Sequence, residues 1–168
     1  MKAIMLQGTA SDVGKSVICT AFCRYFFEEG FRVAPFKSQN MALNSYVTRD
    51  GGEIGRAQGI QAEAAGIEPT VDMNPVLLKP TGEMVSEVIL HGRRFAELRA
   101  GSFHHELDSI LASVQQSLNR LSRDYDVLVM EGAGSPAEIN LKERDIANMW
   151  TARMADAPVL LIADIDRG

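Results

Sequence analysis

The chain has 168 residues, 22 acidic and 17 basic side chains, and a formal net charge of −5. That length suits one domain, since domains usually take ~100–200 residues, and 46% apolar with 23% charged residues is the balance of an ordinary globular protein. Mild acidity without a basic stripe excludes the footprint of a duplex-binding protein, so no nucleic-acid partner is expected, although a few placed cations and amides can hold a small anion.

Ala3–Gln7 predicts a first strand that runs directly into a glycine loop, which is not the pattern of a secretory leader. Lys15–Glu29 predicts a helix, apolar nearly all round (Val17, Ile18, Ala21, Phe22, Tyr25, Phe26) and hence well buried, with Gly30 as its stop. The run Val17–Phe27 contains Arg24 and falls short of the ~20 residues a bilayer requires, so no membrane span and a cytoplasmic location are expected. Cys19 and Cys23, on one face of that helix, read as small core residues in a reducing compartment. Arg32–Phe36 predicts a second strand, parallel to the first through a right-handed crossover.

Residues 37–52 read as a long polar loop, a length that is usually functional in a compact domain. Glu53–Ala65 predicts a second helix ended by Gly66, and Val76–Lys79 and Val85–Leu90 predict short extended pieces broken by Pro75, Pro80 and Gly82. Phe103, Leu107, Ile110, Leu111, Val114, Leu118 and Leu121 follow helical spacing, predicting an amphipathic helix over 102–122. Asp126–Met130 and Pro158–Ala163 predict buried strands, with a helix over Asp145–Ala155 between them. Apolar strands alternating with helices predict an α/β fold: an open, mostly parallel sheet with helices on both faces.

The strongest chemical signal is Gly8-Thr-Ala-Ser-Asp-Val-Gly14-Lys15-Ser16, directly after the first strand and opening the first helix. In that context backbone N–H groups curl around a phosphate at a positive helix end. Gly8, Thr9, Ser11, Asp12, Val13 and Gly14 would form the cradle, Lys15 would reach the β/γ-phosphates, and the Ser16 hydroxyl would ligate Mg²⁺. The common pattern has Gly where this chain has Thr9, with Gly8 one place earlier.

A second signal is Asp126-Val-Leu-Val-Met-Glu131-Gly-Ala-Gly134, an acid at the end of a buried strand before a glycine turn. Glu131 stands where a Mg²⁺-side carboxylate is usual, and both signals lie at strand carboxyl ends, where open parallel sheets bind ligands. Glu53 reads on its own as a helix-capping acid, and Lys37 either binds a substrate carboxylate or phosphate or is solvated. The histidines offer no catalytic or metal-ligand spacing and read as surface residues.

The Gly8–Ser16 loop resembles that of dethiobiotin synthetase and its relatives. Ala34-Pro-Phe-Lys-Ser-Gln-Asn-Met41, Leu43-Asn-Ser45, Glu53-Ile-Gly-Arg-Ala-Gln58, Met73-Asn-Pro-Val-Leu-Leu-Lys-Pro80, Glu131-Gly-Ala-Gly-Ser-Pro-Ala-Glu-Ile-Asn140 and Asp164-Ile-Asp-Arg-Gly168 resemble the cobyric acid synthase family, in order along essentially the whole chain. The resemblance implies the ATP-using synthetase part of a glutamine-dependent amidotransferase in cobalamin biosynthesis. Such enzymes convert peripheral carboxylates of adenosylcobyrinic acid a,c-diamide into amides, with ammonia released by a separate glutaminase domain.

On that resemblance ATP and Mg²⁺ are the expected cofactors, and Lys15, Lys37 and Glu131 the expected catalytic residues. Glu53 joins Ser16 and Glu131 as a metal ligand by similarity to an acidic ligand of dethiobiotin synthetase. Asn40, Asn44, Ser135 and Asn140 are expected on the substrate side, offering donors to carboxylate or acyl phosphate, and Asp164 or Asp166 face nucleotide or acceptor. Neither Cys19 nor Cys23 lies in a nucleophile turn, so residues 1–168 are expected to form a truncated synthetase domain that lacks the glutaminase and hydrolyses no glutamine. A dethiobiotin synthetase-type carboxylase/cyclase and a partition or regulatory ATPase share the loop; the latter usually carries a further lysine where this chain has Gly8-Thr9-Ala10.

Overall fold

In the computed structural model, which describes residues 1–82, 85–99, 107–134 and 146–165, four strands form a parallel sheet. They are β1 (Lys2–Gly8), β2 (Val33–Phe36), β9 (Val127–Glu131) and β10 (Val159–Ile162), in the order β10-β1-β9-β2. Alternate residues of a strand face opposite sides, and the core divides accordingly. Leu6, Val33, Val127 and Val129 pack with Cys19 and Cys23 of α1 (Lys15–Glu28). Met5, Ala34, Phe36, Leu128 and Met130 pack with Ile110, Val114, Leu118 and Leu121 of α3 (Leu107–Asp124) and Ala152 of α4 (Met149–Met154). The parallel sheet with helices on both faces therefore forms as its apolar runs direct.

Three sequence expectations are corrected. Helix α1 is not buried all round: Lys15, Cys19 and Cys23 are its buried stripe, while Val17 is 74% and Tyr25 54% exposed. The helix lies on the sheet with α2 (Arg56–Ala64) beside it, so its outer face has no partner among the described residues. The stretch 37–55 is not a loop leading into a helix. It carries β3 (Gln39–Met41), β4 (Ser45–Val47) and β5 (Glu53–Gly55), and the helix begins only at Arg56. Strand β10 is not buried, since it forms the sheet edge with Leu161 57% exposed.

The extended pieces continue further than their prolines suggest. β6 (Val76–Gly82) runs through Pro80 and pairs antiparallel with β7 (Val85–Leu90), which pairs with β8 (Arg93–Arg99). β3 joins this second sheet parallel to β6, and β4 pairs antiparallel with β5. At the far end of the parallel sheet, Arg32 donates through Nε and Nη2 to the Asp126 carboxylate and holds its pKa down to about 2. Opposite that end, the last residues of β1, β2, β9 and β10 lie along one rim, beside the glycine loop that follows β1.

Candidate functional site

The loop after β1 is shaped by glycine in two ways. A Cβ at Gly8 would lie 2.5 Å from Val13 Cγ2, 2.9 Å from Lys15 Nζ and 3.0 Å from the Ala10 carbonyl, so the chain approaches itself closely at Gly8. Gly14, with φ of 96°, turns the chain into α1 in a left-handed conformation that side chains disfavour. No side chain caps this helix, which leaves its first-turn N–H groups for an anion. Lys15 curls back over the loop, donating to the Ala10 carbonyl at 2.7 Å and the Gly134 carbonyl at 3.4 Å. Burial pushes its ammonium below the ordinary lysine value and Lys37 adds to that, while Glu131 works in the opposite direction.

Glu131, only 2% exposed, is the centre of the site. Its Oε1 accepts from the Ser16 hydroxyl at 2.7 Å and from Lys37 Nζ at 3.1 Å, and its Oε2 accepts from Gln61 Nε2 at 3.0 Å. Three elements thus meet on one carboxylate: the start of α1, the end of β2 and the inner face of α2. Cys19 and Cys23 lie beneath it as buried free thiols, and burial raises both pKa values, Cys23 to about 12. They are core residues, as their spacing predicts.

The structure therefore brings Lys15, Ser16, Lys37 and Glu131 together and settles Lys37 as buried and ion-paired, not solvated. Glu53 stands apart from that cluster. It accepts from Ser45 Oγ at 2.7 Å and pairs with Lys79, whose hydrogen bond, more than that of Ser45, lowers its pKa. Asn40 lies on β3 with its amide toward Gln58, and Asn44 is exposed in the turn that follows. Asp164 follows β10 on the same rim as the loop. Ser135, Asn140 and Asp166 lie outside the described residues.

Several further residues, none of them singled out for a role by the sequence, hold the site in place. Asn74, 1% exposed, donates to the carbonyls of Lys37 and Val76 and accepts from the Gly55 amide, fixing the chain as it leaves β2. Asn148 exchanges two hydrogen bonds with the Ala133 backbone and so holds the turn whose Gly134 carbonyl receives Lys15. Gln58 and Gln61 are fully buried on α2. Gln58 closes the Glu53–Gln58 string, and the two amides stand three residues apart on the helix. His91 is likewise not a plain surface residue, since its Nε2 lies 2.9 Å from Ser117 Oγ in a network with Asp72 and Arg120.

Among the described residues no group of three or more His, Cys, Asp or Glu side chains is placed to hold a metal. A hydroxyl and one carboxylate beside an uncapped helix end nonetheless fit Mg²⁺, which is usually held by one or two carboxylates together with substrate phosphates.

The family description CobQ/CobB/MinD/ParA nucleotide binding domain matches residues 4–165. The chain belongs to this family. Within it, the chain is 61% identical over 168 residues to a cobyric acid synthase of Pelotomaculum thermopropionicum, covering 99% of this chain and 32% of that protein. It is 62% identical over 165 residues to a cobyric acid synthase of Sorangium cellulosum, covering 98% of this chain and 32% of the relative. The chain thus spans about a third of the length of the curated relatives it matches. The signal recognition particle receptor FtsY of Elizabethkingia anophelis, solved with GDP, superposes with a TM-score of 0.52 at 18% identity, over 95% of this chain and 39% of that one. That likeness concerns the fold alone. Family membership makes this a nucleotide-binding domain, and no described helix is long and apolar enough to cross a membrane.

Proposed function

We propose that the chain carries out the ATP-dependent step of cobyric acid synthesis, activating side-chain carboxylates of adenosylcobyrinic acid a,c-diamide for amidation. The carrying observation is the Ser16–Glu131–Lys37 cluster beside the uncapped start of α1, in a chain about 60% identical to cobyric acid synthases. A carboxylate is a poor acyl donor. Transfer of the γ-phosphoryl group to a carboxylate oxygen gives an acyl phosphate and ADP; ammonia then attacks the acyl carbon and phosphate leaves.

Such chemistry requires mainly positioning and neutralisation of charge. The Gly8–Ser16 loop holds the phosphates through N–H groups, and Lys15 leaves the Ala10 and Gly134 carbonyls to meet them. Ser16 and Glu131 would hold Mg²⁺, with Glu53 as a third candidate once released from Lys79; the ion would neutralise phosphate charge when bound. Lys37, at the end of β2, offers its ammonium to the substrate carboxylate or the transferred phosphoryl group. Asn40, Asn44, Ser135 and Asn140 are the substrate-side set, with Asp164 or Asp166 near nucleotide or acceptor. Ammonia is derived from glutamine at a glutaminase site outside these 168 residues.

The test is ATP turnover with Mg²⁺, the corrinoid diamide and ammonium, adding each in turn. ADP release that requires both the corrinoid and ammonium supports the assignment. Equal release without the corrinoid contradicts it and returns the chain to the wider class of nucleotide switches.

A further inference from the structure

A line of side-chain amides runs from the phosphate-loop carboxylate to β3. Gln61 Nε2 donates to Glu131 Oε2 at 3.0 Å, Gln58 Nε2 to Gln61 Oε1 at 3.4 Å, and Asn40 Nδ2 to Gln58 Oε1 at 3.5 Å. Gln61 Nε2 also reaches the Ser16 carbonyl at 3.4 Å. The two glutamines are fully buried, where an amide normally survives only with its hydrogen bonds made.

The direction of this line follows from its end. A carboxylate only accepts, so Gln61 must turn its NH₂ to Glu131 and its carbonyl to Gln58. Gln58 must then offer NH₂ to Gln61 and present its own carbonyl to Asn40. The line is also tightly seated: a Cβ on Gly55 would lie 2.2 Å from Asn40 Nδ2 and 2.5 Å from Gln58 Oε1.

We propose that Gln61 is a positioning residue that fixes the Glu131 carboxylate for Mg²⁺-dependent nucleotide binding, and that Gln58 keeps the Gln61 amide the right way round. Gln61 holds Oε2, so that Oε1, which accepts from the Ser16 hydroxyl and from Lys37 Nζ, is the oxygen turned to the phosphate loop. The inference rests on the nucleotide-site reading above and adds to it a polarity imposed from two residues away.

Binding of a fluorescent ATP analogue, mant-ATP, to the full chain with and without Mg²⁺ tests this, with a thermal melt of each variant. Loss of a hydrogen bond to a charged group predicts that Gln61→Met weakens the Mg²⁺-dependent binding about ten- to a hundredfold. Metal-free binding should stay within about threefold, because the loop amides and Lys15 are untouched. Gln58→Met removes a partner without reversing anything and should have the smaller effect. Gln58→Glu cannot donate to Gln61 when ionised, so it favours the reversed amide and should approach the Gln61→Met loss, more strongly as pH rises. A side chain that merely fills space would give no such ordering.

Where Gln58→Glu does not fold, Gln61→Met alone decides. Wild-type affinity in Gln61→Met, with binding abolished in Lys15→Ala, would overturn the relay and leave the phosphate site intact. Failure of the wild-type chain to bind mant-ATP with Mg²⁺ would instead overturn the reading on which the relay rests.

Discussion

Lys15→Ala is expected to lower corrinoid-dependent ATP turnover by at least about 10²–10³-fold, the usual cost of removing one preorganised group that stabilises developing charge. It is expected to do so without unfolding the protein. Lys15 is 7% exposed, and its burial pushes the ammonium below the ordinary lysine value. A cation whose pKa is lowered by folding subtracts from stability at every pH below that folded value, and the subtraction vanishes as pH rises past the unfolded one. Truncation at neutral pH therefore removes an unfavourable term. The Ala10 and Gly134 carbonyls that lose their donor lie at the loop, where Ala10 is exposed to water. Turnover and thermal unfolding measured on one preparation check both halves: activity should collapse while Tm holds or rises. A large fall in Tm with activity lost in proportion would reassign Lys15 to structure.

Glu131→Gln should show the opposite balance, losing both function and stability. Glu131 and Lys37 form a buried ion pair, with side chains 2% and 11% exposed. Removing one member of such a pair leaves an uncompensated charge, a loss of about 3–5 kcal/mol. At about 2–4 °C per kcal/mol for a domain of this size, Tm should fall by roughly 6–20 °C. The amide keeps a single acceptor: with its oxygen toward Ser16 and Lys37, its NH₂ meets the donating NH₂ of Gln61, and the two oppose one another unless Gln61, Gln58 and Asn40 all turn over. Mg²⁺ should then cease to strengthen nucleotide binding. Adding Lys37→Met to Glu131→Gln should recover part of the stability, because the orphaned charge is gone, but none of the Mg²⁺ response. Strict additivity of the two losses in Tm would mean that the pair is not coupled.

These outcomes depend on parts of the structure that differ in how plainly the residues announce them. β1 and β9 are legible as apolar runs that end on glycine, and α1 by its length and its bounding Gly14 and Gly30, although which face it buries is not. The phosphate loop and Glu131 follow from their positions at strand ends. The stretch 37–55 is not legible in the same way: β3, β4 and β5 are three residues each, and their pairing partners determine them more than their own composition. β3 exists because β6 lies beside it, and Glu53 is drawn into a strand opposite Val47. Its charge partner, Lys79, is 26 residues away. The exposure of β10 follows from its place in the strand order and not from its composition, since an apolar run reads the same whether or not a neighbour covers it. Gln61 is the clearest case at the site itself. Its local mark is slight, an amide three residues before it on the helix, and its meaning comes from Glu131, 70 positions on in the chain.

The proposed chemistry is transfer of a phosphoryl group from ATP to a carboxylate of the substrate. Corrinoid diamide labelled with ¹⁸O in its free carboxylates tests that directly, turned over with ATP, Mg²⁺ and ammonium by the full chain. An acyl phosphate requires one labelled oxygen to appear in each inorganic phosphate released, in step with amide formation. Unlabelled phosphate accompanying amide product would contradict phosphoryl transfer to the carboxylate.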